Sequence, residues 1–99
     1  PVNFEIVVSN PGTAPVLNVR LIDEFDAGLS HTSGQNALQL PVGNVGPGES
    51  KLVPLTLTAT APGRLCNRVR AEGEGGIVAT DEQCIEVSQP KLSIRKTGP

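Results

Sequence analysis

Apolar residues in this chain recur at every second position, and turn-forming residues interrupt the alternation roughly every ten residues. A period of two puts successive side chains on opposite faces of an extended strand, so such a chain must fold as sheet with one face of each strand buried. Val2, Phe4, Ile6 and Val8 alternate with Asn3, Glu5 and Ser9, and Val7 breaks the polar face. Asn10-Pro11-Gly12 then turns the chain. Leu17, Val19 and Leu21 alternate with Asn18 and Arg20 up to a break at Asp26-Ala27-Gly28, and Leu29 to Ser33 forms a short strand. Leu38, Leu40 and Val42 alternate again, with Pro41 marking an edge or a strand end. After the turn Pro47-Gly48-Glu49-Ser50, Val53, Leu55, Leu57 and Ala59 alternate with Pro54, Thr56 and Thr58. Ala61-Pro62-Gly63 turns once more; Leu65, Asn67, Val69 and Ala71 share a face, and a hairpin loop at 73–76 leads into a last strand from Ile77 to Val87.

The pattern predicts seven short strands and no helix, hence an all-β antiparallel sandwich with Greek-key connections. A closed barrel is the alternative, but Pro41 and Pro54 cannot donate to a ladder and belong beside open edges.

Ninety-nine residues make one domain, which buries about 60–65% of the surface of its unfolded chain. Tyr, Trp and Met are absent and only Phe4 and Phe25 are aromatic, so the core is built from Val, Leu, Ile and Ala. Ligand sites lean on aromatic faces, so this is a poor composition for one, and no cofactor is expected. The net charge of −2 comes without a basic stripe, which speaks against nucleic acid. No apolar run is long enough for membrane insertion. The start, Pro1-Val2-Asn3-Phe4, carries no signal peptide and reads as a piece cut from a longer protein.

Cys66 and Cys84 flank the Gly-rich hairpin symmetrically about Gly75. Antiparallel pairing in that register sets them opposite each other on one face and sets Leu65 against Ile85 on the other, within bridging distance. A disulfide is therefore expected, worth about 3 kcal/mol in the chain-entropy model, and it argues for an oxidising compartment. A zinc site would need ligands that two thiols do not supply.

Other candidates are weaker. Asp23, Glu24 and Asp26 cluster at a strand end and could offer oxygens to calcium, but their spacing is not that of an EF-hand, and a solvated turn with a local backbone bond from Asp26 suits them better. His31, the sole histidine, has no Gly-x-Ser-x-Gly elbow to serve, so no catalytic residue is expected. Glu72-Gly73-Glu74-Gly75-Gly76 lacks the Gly-Lys-Ser/Thr of a phosphate loop and carries two repelling carboxylates. Lys51, Lys91 and Lys96 are candidates for an intramolecular isopeptide bond to a buried Asn or Asp, but none sits clearly on a core face. Asn67, on the inner face, needs a hydrogen-bond partner and is expected to tie down a neighbouring loop.

Several segments, in order, resemble the DUF11-type bacterial surface repeat domain. Phe4 to Ala14 is similar to its strand-plus-turn motif, in which Asn-x-Gly-Thr-Ala follows an alternating strand. Asn18-Val19-Arg20-Leu21-Ile22-Asp23 resembles its next strand, and Ala27-Gly28-Leu29 follows in place, although Asp26 stands where the family often has Pro. Val45-Gly46-Pro47-Gly48-Glu49-Ser50 resembles the turn before the central strand, and Pro62-Gly63 with Cys66-Asn67 the start of the sixth. The resemblance implies an immunoglobulin-like sandwich found in tandem in large surface proteins, structural and not enzymatic.

The ends then take on meaning. Pro90-Lys91-Leu92-Ser93-Ile94-Arg95-Lys96-Thr97-Gly98-Pro99 looks like the first strand of such a repeat, yet it lies at the C-terminus, and the chain opens on the second strand. Residues 1–89 therefore read as one repeat lacking its first strand, and 90–99 as the first strand of the next, or as a strand that fills the vacant slot, either by folding back onto its own domain or by exchange between chains. The expected function is a structural repeat or spacer of an extracellular or cell-envelope protein. Its expected partners are neighbouring repeats and, through Leu92 and Ile94, copies of itself. A binding module for glycans or proteins is the alternative.

Overall fold

The computed structural model describes residues 1–89 and 92–98; Pro90, Lys91 and Pro99 of the proposed C-terminal strand lie outside them. Seven strands follow in order: β1 (Val2–Ser9), β2 (Val16–Phe25), β3 (Leu29–Ser30), β4 (Ala37–Val45), β5 (Ser50–Ala59), β6 (Gly63–Gly73) and β7 (Ile77–Val87). They form two antiparallel sheets, β1-β5-β3 and β4-β2-β6-β7, and no described residue is helical. This is an all-β antiparallel sandwich of a three-stranded and a four-stranded sheet.

The alternation explains the core. Phe4, Leu55, Leu57 and Leu29 face inward from one sheet and Phe25, Leu38 and Leu65 from the other, and together they form one buried cluster. Each such side chain contributes about 1.5–3 kcal/mol by leaving water. Val2, Ile6, Leu40, Ala59, Ile85 and Val87 pack on its margin.

The two ends of the sandwich are built differently. Asn10 marks one of them: its amide donates to Glu49 O (2.9 Å), and its Nδ2 donates to Ala14 O (2.8 Å) and to Val45 O (3.0 Å). There β1 ends, β2 begins, β4 ends and β5 begins. At the opposite end Gly63 opens β6 against Val87, the last residue of β7. Strand β1 therefore runs from the Gly63 end to the Asn10 end, and β7 runs the other way.

Three expectations need correction. Leu17 does not share a face with Val19 and Leu21: it is 42% exposed. Asn18 adopts φ 53°, and the β2–β4 register slips between Val16 and Arg20, so a bulge flips the alternation. The strand after Gly28 is shorter than Leu29 to Ser33; it stops at Ser30, and His31 and Ser33 hold a turn of their own. Pro54 does not lie on an edge strand, because β5 is central; but β3 pairs only with Thr58 and Ala59, so β5 has a neighbour at Pro54 on the β1 side alone. Pro41 lies, as expected, on the edge strand β4.

Candidate functional site

The two sheets do not close against each other along β1. On one side β1 pairs with β5 throughout its length; on the other, no described strand pairs with it. Opposite this free edge stand the inner faces of β6 and β7, and between them lies an open groove of about 320 Å³. Leu21, Val69, Ala71 and Ala79 give it an apolar floor towards the Asn10 end, and Asn67 and Gln83 a polar floor towards the Gly63 end. Exposed carboxylates of Glu5, Asp81 and Glu82 rim it. The inner face of β7 is exposed at Ala79, Asp81 and Gln83.

Under the polar end of the groove is a buried pair. Asp23 on β2 pairs across with Val69, and Asn67 on β6 pairs with Phe25, so the two side chains are diagonal neighbours on the inner face. Asp23 is 0% exposed and Asn67 3%. Among the described residues, neither oxygen of Asp23 has a hydrogen-bond partner, and neither does Oδ1 of Asn67. Native interiors rarely tolerate this, because an unpartnered buried polar atom costs about 1–3 kcal/mol. Burial pushes the Asp23 carboxyl up from its ordinary 3.8 to about 6. The nearby Asn67 amide, short of a formed hydrogen bond, and the His31 charge draw it back only in part. Asn67 thus lies inside as expected, but it does not tie down a loop. The residue that does is Asn10, buried at its turn, whose Oδ1 also accepts from Gly12 N at 3.0 Å. An Asn before Pro-Gly is an ordinary turn signal, and sequence pattern alone does not distinguish a buried one.

The acidic cluster does not converge. Asp23 faces inward, Glu24 faces out, and Asp26 is held elsewhere. Asp26 Oδ2 accepts from Cys66 N at 2.8 Å and Oδ1 from Arg68 at 3.0 Å, so its anchor is across the sheet instead of local. Those donors, the Cys66 amide first, hold its carboxyl below the usual range. His31 Nδ1 is bonded to Ser33 Oγ at 2.8 Å within its own turn. Residues 74–76 form the turn between β6 and β7, with Gly75 at φ 82° and Gly76 at φ 75°, where only glycine is at ease. Glu72 is paired with Arg20 and Arg70 on the sheet.

Cys66 and Cys84 form a disulfide, in the register centred on Gly75, with Leu65 opposite Ile85 on the inner face. Glu82 lies near both sulfurs, but they are bonded to each other and are no metal ligands. A disulfide points to an oxidising, non-cytoplasmic location. No helix among the described residues is long and apolar enough to cross a membrane.

The described part of the C-terminal segment stands clear of the sandwich. Leu92 is 99% exposed and Ile94 95%, and the molecule measures 79 Å in its longest dimension against 25 and 18 Å in the others. Lys96 is exposed there, whereas Lys51 sits beside Glu49 and Lys91 lies outside the described residues. No family model matches the chain.

Proposed function

We propose that this chain is a structural repeat of an extracellular or cell-envelope protein, joined to its neighbours by strand exchange. The observation that carries the reading is the pairing of an unfilled groove with an unused strand. The free edge of β1 offers a row of unpaired backbone groups, which is a template for an added strand. Residues 92–98 have the alternation of a strand with one apolar face, and that face is in water.

The strand cannot take this slot in its own molecule in the antiparallel sense. A strand antiparallel to β1 runs in the same direction as β7. The chain leaves β7 at the Gly63 end and would have to return to the Asn10 end first. Parallel neighbours need a crossover of about a dozen residues or more, and residues 88–91 do not provide it. The slot of another unit has no such constraint. Charge agrees, since residues 90–99 hold three of the eight basic residues and none of the ten acidic ones, while the groove rim is acidic. Burying Leu92 and Ile94 would contribute about 3–6 kcal/mol before the cost of association.

Light scattering over a range of concentrations tests this. The full chain is expected to form head-to-tail oligomers, and a chain ending at Gln89 to remain monomeric. A full chain that is monomeric at every concentration refutes the reading.

A further inference from the structure

We infer that the groove is built to weld the exchanged strand in place, through an isopeptide bond between Lys96 of one copy and Asn67 of the next. The inference rests on the strand-exchange reading and adds a covalent step to it.

Three observations converge. Period-two spacing puts Leu92, Ile94 and Lys96 on one face of the segment and Ser93, Arg95 and Thr97 on the other. If the apolar face goes in, Lys96 goes in with it, and a buried lysine requires a partner. The floor of the groove, followed from the Asn10 end to the Gly63 end, reads Ala71, Val69, Asn67, also at spacing two. A strand antiparallel to β1 travels in that direction, and the register that matches apolar to apolar and polar to polar sets Leu92 over Ala71, Ile94 over Val69 and Lys96 over Asn67. Finally, the polar position already holds a carboxylate and an amide carbonyl, buried and without partners, next to each other. An inserted amine would supply both with a donor.

The chemistry balances without any further reagent. As the strand seats, the Lys96 ammonium passes a proton to the Asp23 carboxylate, because a neutral amine and a neutral acid suit a dry site better than two ions. Lys96 Nζ attacks Asn67 Cγ and a new N–C bond forms. Asp23 gives its proton to Asn67 Nδ2 and takes one from Nζ. The Cγ–Nδ2 bond breaks and ammonia leaves, to be protonated in water. Each link therefore loses one ammonia. Asp23 moves protons, Asn67 is the acyl donor and Lys96 the nucleophile.

The test uses the full chain, concentrated and incubated near pH 6, then analysed on a reducing, denaturing gel and by intact mass and peptide mapping. The expected result is a ladder of multimers that survives reductant, each link lighter by one ammonia, with the Lys96 peptide joined to the Asn67 peptide. Lys96→Arg keeps the charge in a solvent-exposed tail residue but supplies a guanidinium that is no nucleophile, and it should abolish the ladder while light scattering still finds tail-dependent association. Asp23→Asn should slow bond formation by about 10²-fold or more. Association that requires residues 90–99 but never becomes covalent overturns the bond and leaves strand exchange standing. A full chain that stays monomeric overturns both. A ladder that persists in Lys96→Arg places the linkage elsewhere and also overturns this assignment.

Discussion

Asp23 has the least comfortable position of any side chain described, and its titration should report it. Its carboxyl titrates near 6 in the folded chain and near 3.8 once exposed, so between those values the folded state holds a proton that the unfolded state has lost. Stability from this group is therefore full below about pH 4 and is lost as pH rises to about 6, a change on the order of 2–3 kcal/mol. Asp26 works in the opposite sense: its carboxyl is depressed, so its contribution is present above its ordinary value and lost as pH falls below it. Chemical denaturation of Lys96→Arg at low concentration, at pH 4 and at pH 6, isolates the Asp23 effect. The loss between the two values is expected to vanish when Asp23→Asn is added. A loss that persists in that variant would show that another group carries it.

Among the elements, the β6–β7 hairpin is the one most fully legible in the sequence. The symmetry of Cys66 and Cys84 about Gly75 gives turn, register and disulfide together, because a hairpin's register follows from its turn. Replacing both cysteines with alanine should cost about 3 kcal/mol, read as a lower denaturation midpoint with an intact fold, since the Leu65–Ile85 side of the hairpin still packs on the core. Strand β2 is less legible. The bulge at Asn18 leaves no mark in hydrophobic pattern beyond an Asn, so Leu17 reads as inward when it is not. Strand β3 is cut short by the local bonds of His31 and Ser33, which compete with the ladder. The same limit applies to the polar pair. Asn67 is visibly on the inner face, but that Asp23 lies diagonal to it depends on the β2–β6 register, which joins strands more than forty residues apart. The inward aspect of Lys96 follows from parity with Leu92 and Ile94, but it acquires a meaning only when a groove exists to receive it.

At the scale of the whole molecule, the described residues form seven strands around one core, and β1 pairs along one side alone. A unit that finishes its sandwich with a strand from another copy gains stability by mass action, so its melting temperature should rise with protein concentration, and a chain ending at Gln89 should show no such dependence. Scanning calorimetry at several concentrations distinguishes the two, and a concentration-independent midpoint in the full chain would contradict the exchange.

Strands β1 and β7 run in opposite directions, and under the proposed exchange this would decide how a string of units bears load. In the free unit Val2 and Val87 both lie at the Gly63 end, so a pull on the chain at those points would open the sandwich from one side, one hydrogen bond at a time. An added strand antiparallel to β1 moves the point of attachment to the Asn10 end, opposite the exit from β7. Under the proposed exchange, tension along a string of such units would run lengthwise through each sandwich and be shared by the whole ladder at once, which would turn a hinge into a rope.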